Sequence, residues 1–554
     1  MAQNKSNGKA NGTGDTLAQV ISGFVGNVTA IATLLLLFVF PLYITSENYS
    51  NILRAKYKFF WLMVVVLAAV CLLVGLAWLF IDRMEYGGAG MKKFLSRMKP
   101  SNWKAVFPVS ERGLLTFIVI ALLSTLTSEY LYESFWGNEG RYSGFFLLLL
   151  YVVMYFLLSR FLRFRQWYLD AFLLSSSLAG LFGITDYFRM DIMGYKVGVP
   201  RGTADIFTST FGNINTFTAF LGMALAVAAA LFAVEKNRKR ALWYFLHLAI
   251  AGAALITSQS DNGYLAVAAL FISLPFFLFK TRTGLRRYLV ILAVFFSAAA
   301  WVGWVNVAME ETVIGLSGIG GVVTTLPGLP VLAAALWLAA VALFVLDRKR
   351  EKAGKNGAGD AASDDALSPL PRRIWMWAMI AAVVAVAVMF VDANFLGHGE
   401  RYGALGQFLV FDDSWGTNRG FVWRITFEDY RNKFTPLQRV LGYGPDTFGI
   451  ITTKFNKMEM HYATGQIYDS AHNAYIHYFA TIGPIGLAGY LVFLIGTLRR
   501  FAKGTKKQPV LLAMFAAVLC YSVQAMVNID LPIVTPFLWG FLAVGVSVLI
   551  KHGN

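Results

Sequence analysis

Three side chains that could move or orient a proton stand together where a long polar stretch meets an apolar one. The sequence reads Asp469-Ser470-Ala471-His472-Asn473 and then becomes apolar. An imidazole can take up or release a proton near neutral pH, and ionisable groups beside a membrane-crossing segment are candidates for function. We therefore predict His472 as a catalytic base, Asn473 as a group that orients the imidazole or contacts the substrate, and Asp469 as a group that fixes the imidazole tautomer.

Each of these assignments has a structural alternative. A histidine at the start of a helix can simply hydrogen-bond to the backbone, and Asp469 can be a solvated loop carboxylate. Both alternatives stay open at the level of the sequence.

Arginines recur in the polar stretches that we expect on the same side of the membrane as His472. A guanidinium stays charged and binds two phosphate oxygens at once, so these arginines are predicted to bind a pyrophosphate. They are Arg141, Arg201, Arg419 and Arg424. The alternative is that they contact lipid headgroups or pair with nearby acids, among them Glu139, Asp205, Glu428 and Asp429.

The composition excludes a soluble protein. Hydrophobic residues make up 57% of the chain and charged residues 14%, with a mean hydropathy of +0.58. Apolar segments of about 20 residues, long enough to cross a bilayer, recur along the whole chain. About fourteen are predicted, near 28–44, 59–81, 113–131, 144–158, 166–184, 214–234, 241–257, 263–279, 288–305, 329–346, 374–391, 473–495, 510–526 and 534–550. The fold class is therefore all-α, a polytopic integral membrane protein.

The charge pattern gives an orientation. The net charge is +17, and clustered Lys and Arg in the short stretches 236–240, 280–287 and 499–507 indicate the cytoplasmic side by the positive-inside rule. Both termini are then cytoplasmic, and the stretch before His472 is extracytoplasmic. The basic character thus follows from membrane topology, and no nucleic-acid partner is expected.

The remaining segments complete the predicted organisation. Residues 1–27 are expected to be a disordered cytoplasmic tail, 28–346 a block of about ten membrane helices, and 347–373 a cytoplasmic linker rich in Gly, Pro and charge. A further membrane helix, 374–391, leads to a long extracytoplasmic loop, 392–471, with an amphipathic helix near 418–433. Residues 472–554 form the C-terminal membrane helices. No His-x-x-x-His or Glu/Asp cluster indicates a zinc site, so no metal is expected; a divalent cation held by acids such as Asp412 and Asp413 is the alternative.

Four short motifs in this order make the chain similar to a known family. They are Gly137-x-x-x-Arg141; Gly212-Asn213-x-Asn215; Arg419-x-x-x-Trp423 followed by Gly442-Tyr443-Gly444; and His472-Asn473, nine residues, then Gly483-Pro484-Ile485-Gly486. The chain resembles the O-antigen ligases and O-oligosaccharyltransferases, polytopic bacterial membrane proteins of the inner membrane. The last motif is the most specific of the four.

The resemblance implies a fold of the GT-C type and a glycan donor linked to undecaprenyl pyrophosphate. In the family pattern His472 activates an acceptor hydroxyl, while Arg141, Arg201 and Arg419 hold the pyrophosphate, and the sugar is transferred with inversion and without a cofactor. The motif residues that would support the site are Asn213, Asn215, Trp423, Gly442 and Gly444. One departure is the segment 258–262, where relatives often carry Ser-Arg and this chain has Ser258-Gln259-Ser260-Asp261-Asn262.

Other functions remain open on the sequence. A surface-polysaccharide polymerase would use the same lipid-linked donor with a second lipid-linked glycan as acceptor, and a transporter would bind the lipid phosphate without chemistry. For a ligase, the acceptor could be lipid A core, a wall polymer, or a Ser, Thr or Tyr hydroxyl on an exported protein.

Overall fold

The protein is an all-helical membrane bundle. The computed structural model describes residues 3–354 and 365–552; 76% of the chain is helical, and these residues form no β-strand. Long apolar runs fold as helices because a helix satisfies its backbone hydrogen bonds internally, as the lipid interior requires. The all-α prediction is confirmed.

The helices before residue 355 begin with a pair broken by a short π-helical turn, Leu35–Val39. In chain order they are α1 (Gln3–Leu34), α2 (Phe40–Leu42), α3 (Ile52–Tyr86), α4 (Ala89–Arg97), α5 (Trp103–Val106), α6 (Val109–Leu126), α7 (Leu131–Trp136), α8 (Phe145–Phe161), α9 (Trp167–Tyr187), α10 (Arg201–Ala204), α11 (Ile214–Val234), α12 (Arg238–Thr257), α13 (Asn262–Ser273), α14 (Pro275–Leu278), α15 (Arg282–Ala308), α16 (Gly318–Thr324) and α17 (Leu329–Gly354).

The helices after residue 364 include a cluster of short ones between two membrane helices. In chain order they are α18 (Leu370–Phe395), α19 (Gly406–Leu409), α20 (Trp415–Asn432), α21 (Pro436–Leu441), α22 (Phe448–Thr464), α23 (Ala474–Gly504), α24 (Leu511–Gln524) and α25 (Thr535–His552). A 3₁₀ segment, Gly399–Leu405, precedes α19.

Every predicted membrane segment coincides with an apolar helix, but not all of these helices are long. In the described residues ten are long and apolar enough to cross a membrane. The other four are shorter apolar helices: Phe145–Phe161, Asn262–Leu278, Leu511–Gln524 and Thr535–Lys551. The predicted figure of about fourteen spans is therefore not confirmed, because only ten helices of the described residues have the full length.

Two predicted boundaries differ from the structure. The first candidate span is Gln19–Leu42, and α1 begins at Gln3, so helix replaces the disorder predicted over 1–27 in its described part. The apolar residues between Gln19 and Asn27 explain the earlier start of the span. The predicted linker 347–373 also shortens, because α17 continues to Gly354 and α18 starts at Leu370; residues 355–364 lie outside the described part.

Helix α11 lies at the centre of the bundle, and 94% of its most apolar 18-residue stretch is buried inside the protein. Its two ends face different cavities, which are described below. A second tight contact joins α6 and α23 through small residues: a Cβ on Gly113 would lie 2.7 Å from the Gly489 carbonyl oxygen, and one on Gly496 would lie 2.9 Å from the Ser110 Cβ. Small residues let membrane helices approach closely, so this contact fixes the position of α23.

Residues 396–473, which we call the helical insert, replace the predicted loop. The helix predicted near 418–433 is present as α20, whose regular part starts at Arg419 after three left-handed residues, Gly416, Thr417 and Asn418. The insert packs mainly through α21 on α23 and α6, and it ends at His472 and Asn473.

Candidate active site

A break in α23 fixes the helical insert to the membrane bundle. Gly483 has a left-handed φ of 77° and is followed by Pro484, which has no N–H to donate to the Ala480 carbonyl. The Tyr443 N–H donates to that carbonyl instead, at 3.0 Å, and the Gly444 N–H donates to the Thr481 carbonyl at 2.9 Å. The glycines of Gly442-Tyr443-Gly444 and of Gly483-Pro484 are thus parts of one contact.

Neither Gly442 nor Gly444 has room for a side chain. A Cβ on Gly442 would lie 2.4 Å from the Thr481 backbone, and one on Gly444 would lie 2.2 Å from the Ser134 Oγ. The two glycines, predicted as supporting residues, therefore allow the insert to approach the bundle.

His472 lies at the end of the insert in a strained backbone conformation, with a φ of 46°. Such a conformation in a non-glycine residue is often found at functional sites. Its backbone N–H donates to the Ser470 Oγ at 3.2 Å. Burial, followed by the positive charges of Arg419 and Arg141, lowers the pKa of the imidazole to about 4, while Asp469 opposes them. The imidazole is therefore neutral at pH 7 and able to accept a proton.

Asn473 is the N-cap of α23. Its Oδ1 accepts hydrogen bonds from the Tyr475 N–H at 2.9 Å and from the Ile476 N–H at 3.0 Å. This contact orients the helix start that follows His472, and it occupies the side-chain oxygen that the sequence analysis assigned to the imidazole or the substrate.

Asp469 pairs with Arg141. The Arg141 Nε donates to one Asp469 oxygen at 2.9 Å and its Nη2 to the other at 2.5 Å. Burial tends to raise the pKa of Asp469, but the Arg141 hydrogen bonds and charge hold it below its usual range. The predicted role, fixing the His472 tautomer, requires a hydrogen bond from the imidazole to Asp469. Both carboxylate oxygens accept from Arg141 instead.

Arg141 is held in place by a second carboxylate, that of Asp446. This buried side chain accepts from the backbone N–H groups of Asn138 at 2.7 Å and Ser143 at 3.1 Å, which flank Arg141. Burial raises the pKa of Asp446 to about 7. The turn that presents Arg141 is thus built around Asp446, a residue of the helical insert.

A cavity of about 310 Å³ brings together residues from five distant parts of the chain; we call it the His472 cavity. Its polar lining consists of Arg141, Asn213, Asn215, Thr216, His472 and Asn528. Its apolar lining includes Ile52, Leu53, Phe207, Phe211, Leu531 and Ile533. A charged end and apolar walls in one space are the properties that a lipid phosphate requires.

The start of α11 faces this cavity. Asn213 caps the helix by accepting from the Asn215 N–H at 2.8 Å and the Thr216 N–H at 3.4 Å. The Asn215 Oδ1 accepts from the Ser260 Oγ at 2.7 Å and the Asn262 Nδ2 at 3.2 Å, so the divergent segment 258–262 supports Asn215. The N-terminal end of a helix carries partial positive charge, which favours an anion in the cavity.

Arg419 lies close enough to His472 for its charge to act on the imidazole. Its Nη1 donates to the Gly416 carbonyl, whereas its buried Nε has no hydrogen-bond partner among the described residues. Burial lowers the pKa of this guanidinium against the opposing charge of Asp261. A buried donor without a partner is costly, and the Arg419 Nε can donate to an acceptor that enters the site.

Trp423 supports the segment before His472. Its Nε1 donates to the Ala471 carbonyl at 2.8 Å, and its ring packs on Trp415 and Phe411 at centroid distances of 5.4 Å and 6.0 Å. The predicted supporting role of Trp423 therefore has a defined contact.

One predicted phosphate ligand, Arg424, is not part of this cluster. Arg424 lies on the exposed face of α20 and pairs with three carboxylates, those of Asp413, Glu428 and Glu459. The pyrophosphate role predicted for Arg424 is therefore not supported by its position, because these acids already neutralise it; this is the alternative that the sequence left open. Arg201 begins α10, and its side chain lies outside the described part of the structure.

Several lining residues escaped the sequence analysis. Asn528 and Ile529 line the His472 cavity, and the Asp530 carboxylate accepts from the hydroxyls of Tyr478 and Tyr521, both at 2.8 Å. The available signal was a short polar turn between the last two apolar segments, on the predicted side of His472. In the described residues no group of three His, Cys, Asp or Glu side chains is placed to hold a metal ion.

The region around His472 matches a known protein family. Residues 313–491 match the family model described as O-Antigen ligase. The match supports the assignment of this chain to the O-antigen ligase family. It indicates a membrane glycan enzyme of the ligase or polymerase type. No curated protein matches the chain.

The O-antigen ligase match covers two of the four motifs in full, the Arg419-to-Gly444 motif and the His472 motif. The Arg141 and Asn213 motifs lie outside the matched range, yet the structure brings both to the cavity of the matched His472.

Proposed function

We propose that this chain is an O-antigen ligase-like glycosyltransferase that moves a glycan en bloc from undecaprenyl pyrophosphate to an acceptor hydroxyl. The observation that carries the proposal is the His472 cavity, where a neutral imidazole, Arg141 and the start of α11 share one space with apolar walls. The apolar walls suit a prenyl chain and the charged end suits its pyrophosphate.

In the proposed reaction, the acceptor oxygen forms a bond to the anomeric carbon of the donor sugar with inversion. The bond from that carbon to the pyrophosphate oxygen breaks, and the lipid pyrophosphate leaves with the electron pair. His472 takes the proton of the acceptor hydroxyl. Arg141 and Arg419 stabilise the charge that develops on the leaving group, which is usually the largest catalytic contribution.

Donor binding would also raise the pKa of the His472 imidazole. The pKa of His472 is about 4 in part because two arginine charges act on it. A bound pyrophosphate offsets these charges, so the pKa of the imidazole rises toward neutrality and its basicity increases. The phosphate must compete with Asp469 for the Arg141 guanidinium, which places Arg141 among the groups that change partner during binding.

The localisation is part of the same proposal. Ten long apolar helices support a membrane protein, and the Lys and Arg pattern supports both termini on the cytoplasmic side of a bacterial inner membrane, with His472 on the other side. The GT-C type of fold, the absence of a cofactor, the undecaprenyl-linked donor and an exported protein, lipid or wall polymer as acceptor are proposed from the family resemblance.

The test is a transfer assay in reconstituted vesicles that contain a lipid-pyrophosphate glycan and candidate acceptors. His472→Ala should lower transfer by about 10²-fold or more while donor binding persists. The matched control is His461→Ala, since His461 is an exposed histidine of the same insert, and it should keep wild-type turnover.

Each outcome of the assay identifies a different function. Labelled glycan on a protein or lipid acceptor supports a ligase and names the acceptor. A ladder of longer lipid-linked glycans would show a polymerase, and donor that crosses the vesicle unchanged in the His472→Ala variant would show a transporter.

A further inference from the structure

A second, larger cavity lies at the opposite end of α11 from the His472 cavity. It has a volume of about 1200 Å³ and is reached from the C-terminal end of α11 at Phe232–Val234. A helix of the 21 residues of α11 is roughly 30 Å long, so the two cavities are separated by the thickness of a bilayer interior. We call it the basic cavity.

Basic side chains outnumber acidic ones in its lining. The seven basic residues are Lys236, Arg238, Lys280, Arg286, Arg287, Arg348 and Lys506, and the three acidic residues are Glu235, Asp347 and Asp365. The cavity therefore has an excess of positive charge and favours an anion.

Two of the arginines have structural partners. Arg286 pairs with Asp347 at 2.7 Å. Arg287 donates to the Phe232 carbonyl at 2.9 Å and the Glu235 carbonyl at 3.3 Å, which satisfies carbonyls at the end of α11. These side chains hold the walls in place and are not free for a ligand.

The lysines are different. Among the described residues Lys236, Lys280 and Lys506 form no ion pair with an acid. Burial lowers the pKa of Lys280, and the nearby charges of Arg372 and Lys506 lower it further. Like charges gathered in a concave space repel each other, so an anion that enters would relieve this repulsion.

The rest of the lining is apolar and opens sideways. Trp337, Val341 and Phe344 of α17 face the cavity together with Phe277 and Leu512. Val341 is 54% exposed and Phe344 43% exposed, although both lie in a candidate membrane span. A soluble anion would leave this apolar face uncovered, whereas the acyl chains of a lipid would cover it.

We propose that the basic cavity binds an anionic phospholipid, with the phosphate among Lys236, Lys280 and Lys506 and an acyl chain along the α17 wall. Basic pockets between membrane helices at the cytoplasmic surface are suited to such headgroups. The proposal does not depend on glycosyl transfer, because the site is remote from His472 and binds its lipid without the donor.

Native mass spectrometry of the full chain in detergent, titrated with phosphatidylglycerol and with phosphatidylcholine, tests the site. We expect the wild type to retain phosphatidylglycerol preferentially and the triple variant Lys236→Gln/Lys280→Gln/Lys506→Gln to bind it at least about tenfold more weakly. The matched control, Lys92→Gln/Lys93→Gln/Lys99→Gln, removes three exposed lysines outside the cavity lining and should bind as the wild type does. Equal binding by wild type and triple variant, or an equal loss in the control, would overturn the proposal.

A second measurement separates a lipid from a soluble phosphate and guards against misfolding. Lipid brominated in its acyl chains should quench wild-type tryptophan fluorescence more than that of Trp337→Phe, since Trp337 lines the cavity. Inorganic pyrophosphate at equal ionic strength should not displace the lipid. Displacement, or quenching unchanged by Trp337→Phe, would assign the cavity to a soluble anion instead.

Discussion

The helical insert has two sides that use charge in opposite ways. The side docked on the membrane helices contacts them through backbone hydrogen bonds, buried glycines, the buried carboxylate of Asp446 and the Asp469–Arg141 pair. The free side carries the exposed network of Arg424 with Asp413, Glu428 and Glu459. Each side pairs with an arginine, but only the docked side pairs with one that lines a cavity, Arg141 of the turn between α7 and α8.

The difference shows why the number of arginines in a segment is a poor guide to phosphate binding. Arg424 has three carboxylates within 3.2 Å, so an incoming phosphate would have to displace acids that already balance it. Arg141 has one such partner, Asp469, and lines the His472 cavity. What separates the two arginines is the number of competing acids and the presence of a cavity.

The largest effect is expected from exchanging arginine for lysine at Arg141, which pairs with the docked side through Asp469, and at Arg424 on the free side. Arg141→Lys keeps the charge but loses the paired hydrogen bonds of the guanidinium, so transfer should fall by at least about tenfold. Arg424→Lys should stay within about twofold of wild type, because exposed ion pairs contribute little. Initial rates in the reconstituted vesicles measure both.

An equal loss of activity in both variants would contradict this distinction between the two sides, since the free side would then take part in the reaction. Equal and full activity of both would instead remove Arg141 from the pyrophosphate site. The thermal midpoint of each variant separates an effect on stability from one on transfer.

A smaller effect is expected from two glycine substitutions on opposite sides of the insert. Gly442→Ala places a methyl group 2.4 Å from the Thr481 backbone, whereas a Cβ at Gly465 meets nothing within 4 Å. Both positions have positive φ, 82° and 68°, so strain is present in both and the clash in one alone.

Gly442→Ala should therefore lower stability by about 3 kcal/mol and Gly465→Ala by about 1 kcal/mol. Thermal unfolding in detergent, followed by activity at a permissive temperature, measures the pair. Similar losses in the two variants would mean that docking of the insert contributes little beyond backbone strain.

The docked side could be predicted from the sequence only in part. Hydropathy located each apolar helix, because burying apolar residues in lipid depends on local composition. The Gly483-Pro484 motif and the Gly442 turn were recognised separately, but their mutual contact follows from backbone groups far apart in the chain. Hydropathy and motif spacing do not show that the Tyr443 N–H replaces the missing proline donor.

Charged pairs were the least predictable feature. Asp469 is three residues from His472 in the chain, and that closeness suggested a tautomer-fixing role, but its carboxylate binds Arg141 from more than 300 positions away. Asp446 was not singled out from the sequence, because its contacts with the Asn138 and Ser143 N–H groups join parts of the chain that lie far apart. Local sequence describes what a side chain can do, and tertiary packing decides which partner it meets.

The smallest expected effect concerns the buried carboxylate of the docked side. The pKa of Asp446 is about 7 in the folded protein and about 4 in an unfolded chain. As pH rises between these values the unfolded state releases its proton first, so the stability that the protonated side chain contributes below about pH 4 is lost progressively by about pH 7. Asp446→Asn keeps an oxygen that accepts from Asn138 and Ser143 but cannot titrate. We expect the Tm of the wild type, relative to that of Asp446→Asn, to fall by about 2 °C between pH 5 and pH 7.5. A constant difference in Tm over this range would show that Asp446 is already ionised at pH 5, and the turn that presents Arg141 would then be built on a buried charge.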